Sequence, residues 1–272
     1  MSAEANLDVD GAEERELRLR PLLPAADPAT VAEIVDGFGL WKRAGVARAR
    51  PHVMLNMVAT ADGLATVAGR SAPISGRADR ALFHGLRTAV DAVLVGAGTV
   101  RTERYGRLIV DQSRRQLRRD RGMQEEPLAC IVSGRLALDS DIPLLAEPAA
   151  RVVVLTSSAA SLTPTAAHVD YIRTHTDGVL DLPAALGELG SAFAVQSVLC
   201  EGGPHLARQL LACGLADELF LSLAPKLAGG EPAGGEALRI LAGAELEPAA
   251  ELELTGVLES ESFLFLRYGV SA

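Results

Sequence analysis

Cysteine is scarce in this chain, with only Cys130, Cys200 and Cys213 among 272 residues. So few, so widely spaced, exclude a disulfide framework and a C-x-x-C metal site. Free thiols pack as small apolar side chains, so all three are expected to be buried. Long apolar runs are missing too: none approaches the roughly 20 residues that span a bilayer. The opening MSAEANLDVDGAEERELRLR has no apolar stretch behind a basic flank. Neither membrane insertion nor secretion is expected, and the expected location is the cytoplasm. Positive charge is in deficit, with 26 Lys and Arg against 35 Asp and Glu and a net charge of −9. That balance argues against a nucleic-acid partner. The histidines, at positions 52, 84, 168, 175 and 205, fall at neither metal-ligand nor triad spacing, so no metal is expected.

What the chain has is apolar residues, 49% of the total, enough for a sizeable core. Residues 1–20 are acidic and aperiodic and read as a disordered tail. Residues 21–50 read as a helical extension, with Asp27 and Thr30 flanking a helix start and Val31, Ile34, Val35 and Phe38 at helical spacing. From Pro51 onward, apolar β-type runs alternate with helical stretches, the pattern of parallel βαβ units. Strands are expected at His52–Ala59, Asp91–Gly96, Leu128–Ser133, Arg151–Thr156, Ala194–Cys200 and Glu218–Leu223. Helices are expected at Arg77–Ala89, Asp181–Leu189 and Pro204–Cys213. Glu251–Leu258 and Ser262–Gly269 read as an antiparallel hairpin whose alternating apolar side chains either cover the sheet or join two subunits. The expectation is one α/β domain, residues 51–272, with a mixed, mostly parallel sheet flanked by helices.

Three strand ends carry glycine and small polar residues: Asn56–Gly63 (NMVATADG), Val95–Arg101 (VGAGTVR) and Cys200–Leu206 (CEGGPHL). Strand ends are where an open α/β sheet binds ligand. Glycine there lets backbone amides approach a phosphate, and a following helix start stabilises its charge. Gly96-Ala97-Gly98-Thr99 has two glycines of a dinucleotide fingerprint and Arg101 in the place of the third, which alone is weak. Gly202-Gly203-Pro204 is a second site of the same kind, with proline suited to a first helical turn.

The ordered set NMVATADG, Ser75-Gly76, Leu86-Arg87, DAVLVGAGTVR, EGGPHLA and APKLAGG resembles the pyrimidine-reductase domain of riboflavin biosynthesis, which shares the dihydrofolate-reductase fold. The resemblance runs from about Pro51 to the C-terminus. It implies an NADPH-dependent reductase, commonly a homodimer, that reduces 5-amino-6-(5-phosphoribosylamino)uracil to its ribityl form by hydride transfer. Carried over by position, Ala59 and Thr60 face the nicotinamide, and Asp62 is an acid beside the reacting region. Gly96, Ala97, Gly98 and Thr99 form the diphosphate loop with Glu103 as an acidic cofactor contact, and Gly202, Gly203, Pro204, His205 and Leu206 form the second cofactor loop. Ser71, Arg87 and Glu201 take the substrate positions: Arg87 holds an anionic or carbonyl group, and Glu201 accepts hydrogen bonds from the ring's amino groups. Asp62 or Glu201 is expected to assist protonation.

Each assignment has a plainer reading. Asp62 is a natural turn residue before Gly63, Arg87 a cap for a helix C-terminus, and His205 a surface or capping residue. The cluster Arg114, Arg115, Arg118, Arg119 and Arg121 reads as a solvated helix face or mobile loop, or else as a phosphate clamp. The 2′-phosphate of NADPH has candidates in Ser133 with Arg135 and in Thr156, Ser157 and Ser158. Asn56 stands where many relatives have lysine, Pro73 where an aromatic is frequent, and RTERYGRLIVD lacks the usual Asp-Asp-Pro. The H-x-E and P-C-x-x-C signature of a zinc deaminase is absent from the sequence. A dihydrofolate or pterin reductase is the alternative of the same class, and a silent NADPH-binding protein the alternative of another.

Overall fold

A computed structural model of the protein describes residues 14, 16–42, 49–229 and 238–271. Arg18–Leu23 (β1) and Ala29–Thr30 (β2) pair antiparallel and lead into helix Val31–Gly37 (α1). Thr30 opens that helix with a capping box, its hydroxyl accepting from Glu33 N and its own amide donating to the Glu33 carboxylate. The expected disordered tail is therefore corrected over residues 18–20, which are strand, and the extension holds two strands as well as its helix. Residues 1–13, 15 and 43–48, to which those expectations also extended, lie outside the described residues.

The central chain follows as His52–Thr60 (β3), Arg77–Ala89 (α2), Ala92–Gly96 (β4), Ala97–Thr102 (α3), Gln112–Asp120 (α4), Leu128–Val132 (β5), Pro143–Ala146 (α5), Arg151–Thr156 (β6) and His168–Arg173 (β7). A short ribbon, His175–Thr176 (β8) and Val179–Leu180 (β9), precedes Leu182–Phe193 (α6), Ser197–Cys200 (β10), Pro204–Ala212 (α7), Glu218–Ala224 (β11), Leu252–Ser260 (β12) and Phe263–Val270 (β13). The main sheet has the order β2-β1-β12-β13-β11-β3-β10-β4-β5-β6-β7. Its strands from β11 to β7 run parallel, and β13, β12 and β1 extend it antiparallel.

Side chains alternate between the two faces of each strand, and both faces of the central strands are covered. On β3, Met54 joins the core beneath α1 and α2, whereas Val53, Leu55 and Met57 join the core beneath α6 and α7. On β4, Val93 and Val95 go one way, Ala92 and Leu94 the other. This two-sided burial is why the strands read as continuous apolar runs. Ala194, expected as strand, instead ends α6 in the left-handed region at φ 55°, so β10 starts only at Ser197. Because β10 lies between β3 and β4, the carboxyl ends of three strands converge at one edge.

Candidate active site

At that edge lies a cleft of about 750 Å³, a size suited to a small-molecule ligand. Asn56, Met57 and Val58 of β3 line it, as do Gly96, Ala97, Gly98, Thr99 and Glu103 around α3, and Ser133 with Gly134 after β5. Glu201, Gly202, Gly203, Pro204, His205 and Leu206 complete it between β10 and α7, and Ser71, Tyr105 and the α2 residues Asp79, Arg80, Phe83 and His84 close the far wall. The two glycine loops, far apart in sequence, thus share one cavity.

They also touch directly. The Gly96 amide donates to the Gly202 carbonyl at 2.9 Å. Gly202 has φ +94°, a conformation side-chain-bearing residues rarely adopt, and a Cβ on Gly203 would sit 2.8 Å from the Thr99 hydroxyl. Gly202 calls for glycine by its backbone conformation, and at Gly203 any side chain would force Thr99 to shift. A Cβ on Gly98 would meet nothing within 4 Å and would project into open space. Gly96 and Gly203 are the N-caps of α3 and α7, and neither start has a side-chain cap. Their first-turn amides are therefore left for water or a ligand.

Beside the loops sits a buried charge pair. Arg87 Nε donates to Glu201 Oε1 and Nη2 to Oε2, both at 2.6 Å, with side-chain exposures of 11% and 2%. Tyr105 Oη donates to Oε2 at 2.7 Å, and Arg87 Nη1 to the Leu108 carbonyl at 3.1 Å. The guanidinium lies 4.2 Å from the Phe83 ring centroid. Burial disfavours the Arg87 cation, but the Glu201 carboxylate overrides it and raises the guanidinium pKa. Burial, then the Glu201 charge, keeps the Tyr105 phenol well above its ordinary value.

Several expectations are corrected here. Arg87 does not line the cleft; three of its five N–H donors go to Glu201 and the Leu108 carbonyl, so what it is seen to hold is the carboxylate. Asp62 is exposed outside the cleft and accepts from the amides of Ala228 and Gly229 at 3.2 and 2.7 Å. Hydrogen bonding to Thr60, then to those two amides, brings its carboxyl down to about 2, far too acidic to donate a proton near neutrality. Ala59 and Thr60 are buried and do not line this cleft, and the Thr60 hydroxyl accepts from Leu64 N at 2.9 Å. Glu103 and Ser71, by contrast, do line the cleft, and they meet each other there, the Ser71 amide and hydroxyl donating to Glu103 Oε1 at 3.1 and 3.0 Å.

The arginine cluster is only partly a solvated face: Arg119 and Arg121 are exposed, Arg114 and Arg115 half-buried and Arg118 buried, and none of the five lines the cleft. Arg118 is 1% exposed and donates to the carbonyls of Thr88 and Val90 at the end of α2 and to that of Gln124 after α4. Arg114 pairs with Glu14 and Asp111, Arg115 bonds the carbonyls of Ile109 and Val110, Arg119 pairs with Glu125, and Arg121 with Asp36. Of the 2′-phosphate candidates, Ser133 reaches the cleft, while Thr156, Ser157 and Ser158 do not; Arg135 is exposed beside Ser133. Cys130 and Cys200 are buried, and burial pushes the Cys200 thiol up to about 12. Cys213 is exposed, contrary to expectation.

Sequence reasoning missed Tyr105, Asp79, Arg80, Phe83 and His84. For the last four the helical spacing of Asp79, Arg80, Phe83 and His84 along α2 was the available signal, since such residues share a helix face. Among the described residues no helix is long and apolar enough to cross a membrane, and no cluster of three or more His, Cys, Asp or Glu side chains is placed to hold a metal.

A mixed sheet with two glycine turns and a buried carboxylate at the carboxyl ends of its parallel strands defines an α/β domain of the dihydrofolate-reductase-like class. Residues 51–258 match the RibD C-terminal domain, and the chain belongs to that family. It is 29% identical over 191 residues to the 2,5-diamino-6-ribosylamino-4(3H)-pyrimidinone 5′-phosphate reductase of Methanothermobacter thermautotrophicus, covering 68% of this chain and 82% of that protein. It is 32% identical over 183 residues to the riboflavin biosynthesis protein RibD of Mycobacterium tuberculosis, covering 66% of this chain and 44% of that protein. The RibD protein of Actinobacillus pleuropneumoniae is 28% identical over 214 residues, 75% of this chain and 53% of that protein. The chain thus spans about half the length of its RibD relatives. In fold it is similar to a pyrimidine reductase-like protein from Corynebacterium diphtheriae, with TM-score 0.68, 24% identity, and coverage of 90% of this chain and 100% of that one.

Proposed function

We propose that this protein is a reductase of riboflavin biosynthesis, that its nicotinamide cofactor is NADPH, and that it reduces 5-amino-6-(5-phosphoribosylamino)uracil to the ribitylamino form in the cytoplasm. The observation that carries this reading is the single cleft in which both glycine loops meet the Glu201 carboxylate. The cradle suits a dinucleotide: uncapped amides begin α3 and α7, and the space over Gly98 is one that a Cβ would enter. When bound, NADPH supplies the hydride. The chain's residues do the rest. Amides around Gly96–Thr99 and Gly202–Leu206 hold the diphosphate, and Ser133 with Arg135 takes the 2′-phosphate. Glu201 accepts an N–H of the pyrimidine and fixes the ring's orientation. Glu103 and Ser71 brace each other across the cleft wall.

The test is loss of reduced nicotinamide by the purified protein with the phosphoribosylamino-uracil, its 2,5-diamino counterpart and dihydrofolate in parallel. Turnover of a phosphoribosylaminopyrimidine is expected; turnover of dihydrofolate alone, or none with cofactor bound, rejects the reading.

As a homodimer, the molecule would pair through the β12–β13 hairpin, where Leu252, Leu254 and Leu264 stay exposed. Light scattering on wild type and on Leu254→Lys tests this: a dimer dissociated by the substitution is expected, and a monomeric wild type rejects it.

A further inference from the structure

Tyr105 stands just after α3, in the segment that leads to Leu108. Its backbone is pinned on both sides, the amide donating to the Val100 carbonyl at 3.1 Å and the carbonyl accepting from Leu144 N at 2.8 Å. The ring lines the cleft, and its hydroxyl reaches Glu201 Oε2, an oxygen that already takes Arg87 Nη2. An ionised carboxylate offers about four acceptor sites. Two are filled on Oε2 and one on Oε1.

We infer that Tyr105 is a positioning residue for Glu201, closing Oε2 and leaving one acceptor site on Oε1 for a single N–H of the bound heterocycle. The inference rests on the reading of Glu201 as the ring's acceptor. Arg87 alone leaves Oε2 half satisfied and open to a second donor; the phenol removes that choice. A ring that offers an N–H at this position is accepted, and one that offers a carbonyl oxygen meets an acceptor and is rejected.

Tyr105→Phe keeps the ring and deletes the donor. Steady-state kinetics with the phosphoribosylamino-uracil, and NADPH affinity, are measured for wild type, Tyr105→Phe, Glu201→Gln and the double variant. The crystal structure of Tyr105→Phe is compared with that of wild type. We expect KM to rise about tenfold, the size of a lost hydrogen bond to a charged group, with a smaller change in kcat and unchanged NADPH affinity. Against Glu201→Gln the same substitution should add less than about twofold, because it acts through Glu201. In the variant structure the Glu201 carboxylate should be displaced. Equal effects in both backgrounds, or an unmoved Glu201, overturn the inference. If wild type turns over no pyrimidine, the functional reading fails, and the crystallographic comparison still decides the role of Tyr105.

Discussion

The Asp62 carboxylate is tied to the Gly229 amide at 2.7 Å, which joins the loop after β3 to the loop after β11. A second tie, Ala61 N to the Lys226 carbonyl at 2.9 Å, runs beside it. Asp62 is thus a staple between two loops, with its carboxylate occupied outside the cleft. Asp62→Asn keeps an acceptor oxygen, so kcat/KM is expected within about threefold of wild type, as for exposed sites without special roles. Asp62→Ala should leave kcat/KM in the same range while speeding proteolysis near residue 229. A fall in kcat of two orders of magnitude or so in Asp62→Asn would restore it to the proton path.

Arg87 and Glu201 form a buried pair whose single and double replacements should differ in stability. Removing one member of a buried pair strands the other charge, at a cost of about 3–5 kcal/mol. Arg87→Met and Glu201→Leu should each lower the urea midpoint accordingly. The double variant should recover much of that loss, since an apolar pair fills the same space, yet remain inactive for want of the Glu201 acceptor. Recovery of activity in the double variant would show that the pair is only structural.

The parts of this fold legible in the sequence were those with two buried faces. The strands β3, β4, β5 and β6 read as apolar runs because helices cover both sides. β1, with the sequence RLRPLL, did not, because it lies near the sheet edge and alternates arginine with leucine. β7, HVDYIR, is an edge strand of the same mixed character. The glycine loops were legible because glycine is itself the signal for close backbone approach. Glu201 and Arg87 were each visible at strand and helix ends, but their pairing across 114 positions was not. Nothing local distinguishes an arginine that meets a ligand from one that meets a carboxylate. Tyr105 had no signal beyond the atypical motif around it.

Gly98 and Gly203 should fail in different ways. Valine at 98 projects into open space, so the fold is expected to keep its melting temperature while NADPH Kd rises at least about tenfold, some 1.4 kcal/mol. Alanine at 203 meets the Thr99 hydroxyl instead. Gly203→Ala should therefore lower the melting temperature as well as NADPH affinity, and adding Thr99→Ala should restore part of the stability. Calorimetry with titration of NADPH separates the two. Unchanged NADPH affinity in Gly98→Val would move the diphosphate elsewhere.

Acid should act through Glu218. Burial favours its protonated form, but hydrogen bonds from His52 at 2.8 Å and from Arg267 at 2.7 Å outweigh that, and the carboxyl falls from 4.5 to about 2. A folded-state value below the unfolded one contributes stability that is full above the unfolded value and is lost as pH falls through the folded one. Asp217, lowered in the same direction, adds to it; there burial again opposes and the Arg50 hydrogen bond leads the lowering. Urea midpoints of wild type should therefore drop between pH 4.5 and about 2, and the drop should be shallower in Glu218→Gln. Identical slopes in the two proteins would assign acid sensitivity to other groups.

Arg118 decides what the basic segment is for. Its guanidinium, buried between α2 and α4, supplies the donors that the last carbonyls of α2 lack within the helix, at 2.9 Å to Thr88 and 2.7 Å to Val90. The cation also lies at the negative end of the helix. Burial without a directly bonded carboxylate brings its pKa down to about 10, still protonated near neutrality. Arg118→Met deletes these bonds and leaves buried carbonyls unsatisfied, so unfolding free energy should fall by about 3 kcal/mol, at about 1–3 per stranded group. Arg118→Lys should recover only part, because one ammonium cannot repeat the planar fork that reaches Gln124 from Nε. In the folded fraction, KM for the phosphorylated substrate and NADPH affinity should stay at wild-type values, since Arg118 does not line the cleft. A phosphate clamp predicts the reverse, intact stability and weakened binding, so a denaturant curve and one KM measurement on Arg118→Met separate the two roles.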